Sequence, residues 1–359
     1  MRADKTMLIM AGGTGGHVYP ALAVALELQQ RGFKVCWLGA SKGLENKVVE
    51  QAGLTLFRVA VRGLRGKGTL ARAQGLLVLS WAALQSLVAI LRIWPVCVLG
   101  MGGYVSGPAG LTAWLLRRPL VIHEQNSVAG TTNRLLSRLA TRILTAYPGA
   151  FVNAEVVGNP LRRELLRSAE TSSYDYDGSR PLRLLVVGGS LGARALNEVM
   201  PAALQLLPSR CRLQVRHQTG EADAERVGTA YAALGNSAVE VLPYIEDMAA
   251  VYFWCDLVLC RAGALTLAEL TVMGRPAILV PLPDAIDDHQ AHNADWLRSR
   301  GAALVLPQAE MSAARLANLL FELHEQPLRL ADMAGAARRT AFKHATQRVA
   351  DVCEEVSRV

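Results

Sequence analysis

Short apolar runs alternate with longer stretches of helical periodicity along most of this chain. Residues 7–11 form an apolar run, Gly12-Gly13-Thr14-Gly15-Gly16 a turn, and residues 21–30 carry a helical pattern. A second apolar run follows at 33–38, and the series continues at 96–99 and 120–123. The same grammar restarts in the second half. Residues 182–187 predict a strand, Gly188-Gly189-Ser190-Leu191-Gly192 a turn and 193–207 a helix, with further strands at 212–217, 239–242, 257–259 and 277–280. Buried strands alternating with helices predict βαβ units and parallel sheets. Between the halves, residues 168–181 are polar and end in Gly178-Ser179-Arg180-Pro181, a linker composition.

Composition sharpens this. At 359 residues the chain is about twice a typical domain, and 51% apolar with 19% charged residues leaves enough apolar side chain for two cores. The economical reading is α/β: two Rossmann-like, doubly wound parallel-sheet domains joined near residue 170. Thirty-one glycines without a short period exclude collagen-like and solenoid folds. The six cysteines are scattered with no Cys-x-x-Cys pair, against a disulfide scaffold or zinc site and in favour of a reduced interior. The apolar run before Gly12 is too short for a signal-peptide core, so no export is expected.

Charge divides the halves. Residues 1–160 hold 17 Lys and Arg against 6 Asp and Glu, while the remainder is mildly acidic. A basic half suits anionic lipid, phosphorylated substrates or nucleic acid. Nucleic acid is disfavoured, because only 6% of residues are aromatic and no binding motif occurs. Between Arg72 and Arg92 lies an uncharged stretch rich in Leu, Val and Trp, with Arg62, Arg65 and Lys67 upstream. Its length approaches a membrane span. Gln74, Gln85 and Arg92, spaced near whole helical turns, form a thin polar stripe instead. Three readings stand: a buried or half-buried helix, a membrane-surface patch, or a span, with any membrane contact expected to be peripheral.

Chemistry is expected at the carboxyl ends of the strands, where parallel sheets hold ligands. The glycine clusters fall there: 12–16, 100–107 and 188–192, with Arg261-Ala262-Gly263-Ala264-Leu265-Thr266 after the strand at 257–259. Glycine lets backbone approach a phosphate, and the following helix N-terminus offers free N–H groups. The alternative is that each glycine merely makes a tight turn. The first cluster is not G-x-G-x-x-G, no acid ends the second strand, and no G-x-x-x-x-G-K-[ST] occurs. A dehydrogenase and a P-loop NTPase are therefore disfavoured. His17 opens a helix directly after a glycine turn, a position for a general base or for a helix-end residue with no chemical role. His123-Glu124-Gln125-Asn126 puts four polar groups after a buried strand. Glu269, on the helix after Gly263, suits the two hydroxyls of a ribose, or else a solvated helix face. His289 and His292 suggest a metal pair by count only, and nothing completes it.

Taken together, 11–17, Gly100-Met101-Gly102-Gly103-Tyr104-Val105-Ser106-Gly107-Pro108, 123–126, Val157-Gly158-Asn159-Pro160, 188–193 and 261–269 resemble, in order and spacing, the MurG family of bacterial peptidoglycan N-acetylglucosaminyltransferases. The resemblance runs from about residue 7 to the C-terminal helix. It implies a GT-B fold with two domains facing across a cleft, at 1–165 and 166–339, and a final segment, 340–359, returning to the first domain. It implies an inverting, metal-independent transferase with no cofactor. The donor would be UDP-N-acetylglucosamine, the acceptor lipid I and the product lipid II. The implied setting is the cytoplasmic face of the inner membrane, peripheral on an anionic surface, with other cell-wall synthesis proteins as partners and no nucleic acid. Carried over residue by residue, the donor would meet Thr14, Gly15, Gly16, Asn126, Arg162, Ser190, Ile245, Ala264, Leu265, Thr266, Leu267, Ala268, Glu269 and Gln290. Gly102, Gly103, Tyr104 and Ser106 would face the acceptor. His17 is the first candidate for general base and Glu124 the second; the sequence leaves both open. The rivals are a GT-B transferase with another acceptor and an epimerase-like UDP-sugar protein.

Overall fold

The computed structural model describes residues 5–61, 69–189, 191–235, 238–283 and 285–358, leaving the side chains of 69–76 and of Ile286 undescribed. In chain order the first elements are β1 (Thr6–Met10), α1 (Gly15–Gln30), β2 (Lys34–Ala40), α2 (Leu44–Gln51), β3 (Thr55–Val59), α3 (Thr69–Ile93), β4 (Cys97–Gly100), α4 (Ser106–Leu115), β5 (Leu120–Glu124), α5 (Thr131–Leu136), β6 (Arg142–Thr145) and β7 (Glu155–Val156). Then come α6 (Arg163–Thr171), β8 (Leu182–Val187), α7 (Arg194–Gln205), β9 (Leu213–Gln218), α8 (Ala224–Ala232), β10 (Val239–Leu242), α9 (Met248–Trp254), β11 (Leu257–Cys260) and α10 (Ala264–Met273). β12 (Ala277–Leu279), α11 (His289–Arg298), β13 (Ala303–Val305), α12 (Ala313–His324), α13 (Pro327–Arg339) and α14 (Ala345–Val356) complete the chain. Two compact units result: Met1–Arg162 with Lys343–Val359, and Arg163–Phe342.

The described strands of the N-terminal unit form one parallel sheet in the order β3-β2-β1-β4-β5-β6-β7. Side chains on a strand alternate between faces, and β1 buries both. Met7 and Ile9 join Val24 and Leu28 of α1 and Val349, Val352 and Cys353 of α14. Leu8 and Met10 join Ala82, Ala89 and Ile90 of α3 and Ala109 and Ala113 of α4. Helices on both faces explain why β1 reads as an unbroken apolar run. The C-terminal unit repeats the plan as β10-β9-β8-β11-β12-β13, with Leu184 and Val186 packed against Leu196 and Met200 of α7 and Leu316 and Leu320 of α12.

The strand order reverses between β1 and β4 in one sheet and between β8 and β11 in the other. Connections leaving neighbouring strands there diverge to opposite faces, which opens a crevice beyond their carboxyl ends. All four glycine-bearing loops leave these four strands. β3, β6, β7 and β13 escape the hydrophobic pattern because they are short, near sheet edges and mixed in polarity. α1 starts at Gly15 rather than near residue 21. Gly15, Gly16 and Pro20 are poor helix formers, yet burial of Val18, Pro20 and Ala21 holds the extra turn.

α3 is half-buried, with its faces the reverse of the usual arrangement. Ala82, Ser86 and Ala89 are buried with Ile90, whereas Leu77, Trp81, Leu84, Val88 and Leu91 are exposed. Small residues let the helix approach α4 closely, so the large ones turn outward. Gln85 is half-buried, and its Oε1 accepts from the Ala60 N–H at 2.7 Å. No described helix is long and apolar enough to cross a membrane. Arg62, Arg65 and Lys67, and the side chains of Arg72 and Gln74, lie outside the described residues.

Candidate active site

In the N-terminal unit three loops meet around one imidazole. His17 sits in the first turn of α1 and its ring lies against the loop after β4: a Cβ on Gly102 would stand 2.9 Å from it. His17 Nδ1 is 2.8 Å from Gln125 Oε1, in the loop after β5. Thr14, Gly15 and Gly16 form the entry to α1, and no side chain caps it. Glu45, which the sequence pattern did not flag, ties this loop down from below. It is fully buried, and its carboxylate accepts from Gly13 N–H at 3.2 Å and Ala40 N–H at 2.9 Å, joining the ends of β1 and β2. No local signal marks it, because both partners are backbone groups.

Glu124 is buried and heavily engaged. Oε1 accepts from Asn126 N–H at 3.1 Å and Asn126 Nδ2 at 3.3 Å; Oε2 accepts from Gly130 N–H at 3.1 Å and Asn133 Nδ2 at 2.9 Å. Four donors make this carboxylate the organiser of the loop after β5, and they fix Asn126 beside it. In the loop after β4, Ser106 is likewise buried and its hydroxyl lies 2.8 Å from Gly102 O and 3.2 Å from Met10 O. Ser106 therefore pins the loop, with Gly103 packed against the Gly12 backbone, where a Cβ would come within 2.3 Å of Gly12 O, and Tyr104 exposed. The Arg162 guanidinium lies 5.3 Å from the Tyr19 ring centroid.

In the C-terminal unit the loops after β8 and β11 flank the second switch point. Ser190 lies outside the described residues. Gln218 Nε2 donates to Gly189 O at 2.9 Å. Arg261 donates to Val280 O, Pro281 O and Gln308 Oε1, and Asn293 Nδ2 donates to Ala262 O, so the loop after β11 is braced from two sides. Ala264, Leu265 and Thr266 form the first turn of α10. Leu267 points into the core, leaving only its backbone for a ligand, and Ala268 is half-buried. Glu269 is buried, with Oε2 accepting from the Tyr252 hydroxyl at 3.0 Å; Tyr252 is a further positioning group that the sequence pattern did not reveal. Ile245, after β10, is buried. Gln290 Oε1 accepts from Leu282 N–H at 3.0 Å, at the start of α11, where Asp287 and Asp288 hold left-handed backbone. His289 is half-buried on the same helix.

Beneath the loop after β8 lies a buried histidine. His217 Nε2 is 3.1 Å from Asn197 Oδ1 and its Nδ1 2.8 Å from the Tyr231 hydroxyl; Asn197 Nδ2 donates to Thr219 O and Asp223 Oδ2. Burial lowers the His217 pKa to about 4. The unfolded chain therefore takes up a proton below pH ~6.5 that the folded chain refuses until about pH 4. Stability falls as pH drops through that window, by up to about 3 kcal/mol from this group. Urea unfolding at a series of pH values should show this slope, and His217→Gln should roughly halve it, because burial lowers the pKa of His123 to about 4 as well; an unaltered slope would remove His217 as a source.

Two doubly wound units, each with glycine loops at its switch point, make up the GT-B fold. The family model for the glycosyltransferase family 28 N-terminal domain matches residues 7–145, and that for the C-terminal domain matches 183–349. The chain belongs to glycosyltransferase family 28 and is a glycosyltransferase. A relative from Ectopseudomonas mendocina is 53% identical over 98% of this chain and 99% of its own length. It is named UDP-N-acetylglucosamine--N-acetylmuramyl-(pentapeptide) pyrophosphoryl-undecaprenol N-acetylglucosamine transferase. The crystal structure of Acinetobacter baumannii MurG matches with a TM-score of 0.83 at 40% identity, covering 98% of this chain and 99% of that one. A Neisseria meningitidis UDP-GlcNAc 2-epimerase bound to UDP-GlcNAc matches with a TM-score of 0.68 over 98% of this chain and all of its own, but at 13% identity it shares the fold alone.

Proposed function

We propose that this chain transfers N-acetylglucosamine from UDP-N-acetylglucosamine to the 4-hydroxyl of the N-acetylmuramoyl group of lipid I, giving lipid II and UDP. The observation that carries the reading is the imidazole of His17, held at the meeting of the loops after β1, β4 and β5. A general base belongs beside a hydroxyl nucleophile. Glu124, with four donors already on its carboxylate, is assigned to shaping the loop rather than to proton transfer.

In the reaction the acceptor oxygen attacks the anomeric carbon with inversion while its proton passes to His17. The bond from that carbon to the UDP oxygen breaks, and its electron pair leaves on the diphosphate. Charge growing there needs preorganised donors. The first-turn N–H groups of α10, Ser190 and Arg162 are assigned to it, together with Thr14, Gly15 and Gly16. Glu269, steadied by Tyr252, takes the ribose hydroxyls, Ile245 the uracil through its backbone, and Asn126 and Gln290 the sugar. Tyr104 with the Gly102–Gly103 stretch faces the acceptor.

The acceptor's lipid calls for a membrane surface. The exposed Leu77, Trp81, Leu84, Val88 and Leu91 of α3, with Trp94, Trp114 and Leu115 nearby in sequence and basic Arg92, Arg117 and Arg118, suit peripheral contact with an anionic bilayer. The Arg118 guanidinium stands 4.5 Å over the Trp94 ring. The corresponding location is the cytoplasmic face of the plasma membrane, where other cell-wall enzymes are the expected neighbours. Sedimentation with anionic vesicles should weaken about tenfold or more when Trp81 and Leu84 become Ser; unchanged binding would place the contact elsewhere.

The function itself is tested by UDP release from UDP-N-acetylglucosamine in EDTA, with and without a short-chain lipid I analogue. Release that requires the analogue and ignores the chelator supports the assignment. Release without acceptor would indicate hydrolysis or an epimerase-like reaction. Tight UDP binding with no release would mean that the acceptor is another molecule.

A further inference from the structure

The motif Val157-Gly158-Asn159-Pro160 and the buried pair His123 and Gln125 have no part in the chemistry above, yet they are joined to His17 by a continuous chain of hydrogen bonds. His123 Nε2 lies 2.9 Å from Gly158 O. A carbonyl only accepts, so the His123 proton is on Nε2 and its Nδ1 is a bare acceptor. Gln125 Nε2 lies 3.1 Å from that Nδ1 and 3.2 Å from His123 O. Both partners are acceptors, which fixes the amide with its nitrogen toward His123 and its oxygen toward His17. Gln125 Oε1 is then an acceptor 2.8 Å from His17 Nδ1. The backbone of this segment is held as well: Asn159 Nδ2 donates to Gln125 O at 3.1 Å.

We propose that Gln125 is a positioning residue that locks His17 in the Nδ1–H tautomer and so presents Nε2 as the bare nitrogen that takes the acceptor proton. The relay starts at the Gly158 carbonyl, passes through His123 and ends at His17. Each step reverses donor and acceptor once, so the orientation at one end dictates the tautomer at the other. Burial supports it: His123 and Gln125 are 0% and 1% exposed, so water does not compete for these groups. Burial also lowers the His123 pKa to about 4, which keeps it neutral and its Nδ1 free to accept. A protonated His123 would donate from both nitrogens and turn the amide around.

This inference rests on His17 being the base, but its first test makes no reference to turnover. Selective 15N-histidine labelling and long-range 1H–15N spectra of the intact chain at pH 7.5 report the protonation of each ring nitrogen. The expected result is a protonated Nδ1 and a bare Nε2 at His17, with the opposite tautomer at His123. A protonated Nε2 on neutral His17 would overturn the proposal, and no variant is needed to see it. Gln125→Leu should then release the His17 tautomer and lower kcat about ten- to a hundredfold, with the KM for UDP-N-acetylglucosamine little changed. A folded Gln125→Leu protein that keeps the Nδ1–H tautomer would also overturn it, whereas wild-type kcat in a variant that has lost that tautomer would count against His17 as the base. The two readings fail separately. If the tautomer is as stated but His17→Ala remains active, the lock stands and the base assignment falls. If His17→Ala is inactive and the tautomer is reversed, the base stands and the lock falls.

Discussion

Replacing His17 by Ala should lower kcat by roughly 10²- to 10⁴-fold at saturating substrates, the range that a positioned general base contributes. The substitution removes an imidazole that lies against Gly102 and is hydrogen-bonded to Gln125. It is half-buried at a helix start rather than in the core, so the loss of folding stability should be modest. Thermal melting and a steady-state UDP-release assay separate the two effects. A folded His17→Ala protein with near-wild-type turnover across pH 6 to 9 would eliminate His17 as the base. Glu124→Gln should behave differently, because its carboxylate holds two backbone N–H groups and two side-chain amides. Its expected defect is in folding and in the placement of Asn126.

Gly192→Ala should have the largest effect in the C-terminal unit. Gly192 has φ +75°, and a Cβ there would lie 1.8 Å from Thr219 O and 2.5 Å from Thr219 C. Neither contact is with a flexible side chain, so the loop after β8 must move bodily away from the end of β9. Strain at a left-handed non-glycine residue adds about 1–2 kcal/mol to the clash. A destabilisation of about 3 kcal/mol or more and at least a tenfold loss of UDP affinity are expected. Gly189 is the control: its φ is +94°, but a Cβ there meets nothing within 4 Å, so Gly189→Ala should show only the smaller backbone strain. Melting temperatures and calorimetric UDP titrations of both variants decide the matter. Wild-type UDP affinity in Gly192→Ala would detach this loop from the donor site. A folded Glu269→Ala protein should also lose UDP affinity, and an unchanged titration would remove the ribose assignment.

The site was unevenly legible in the sequence. His17, the glycine clusters and the polar tetrad that begins inside the end of β5 stood out because each interrupts a buried apolar pattern at a strand end. Glu45, Tyr252 and Asn197 did not, because they sit in ordinary helical surroundings and act on backbone or side chains distant in sequence. The hydrogen-bond partners of Glu124 and Ser106 were also hidden. Sequence placed both beside a ligand, and only the folded loops show their polar atoms taken up by neighbours. For α3 the sequence left a buried or half-buried helix, a membrane-surface patch and a span open, and the fold makes it half-buried, with Gln85 bound to the backbone at Ala60 and the large apolar side chains facing out. Periodicity tells which residues share a face, and only packing against α4 tells which face is inward.

The sequence by itself determined the alternation of strand and helix, the two-fold repetition of the plan and the loops in which chemistry would sit. Those features follow from local rules: runs of apolar residues make buried strands, and glycine permits backbone that other residues resist. The tertiary structure decided which loops meet. Strand order brings β1 beside β4 and β8 beside β11, and this pairing is set by packing of helices on both sheet faces rather than by anything local to the glycines. It also decided which nitrogen of His17 meets Gln125 and which faces onward, because that depends on a carbonyl at Gly158, 141 positions along the chain. Hydrogen-bond direction is fixed by partners, and partners are brought together only by the fold.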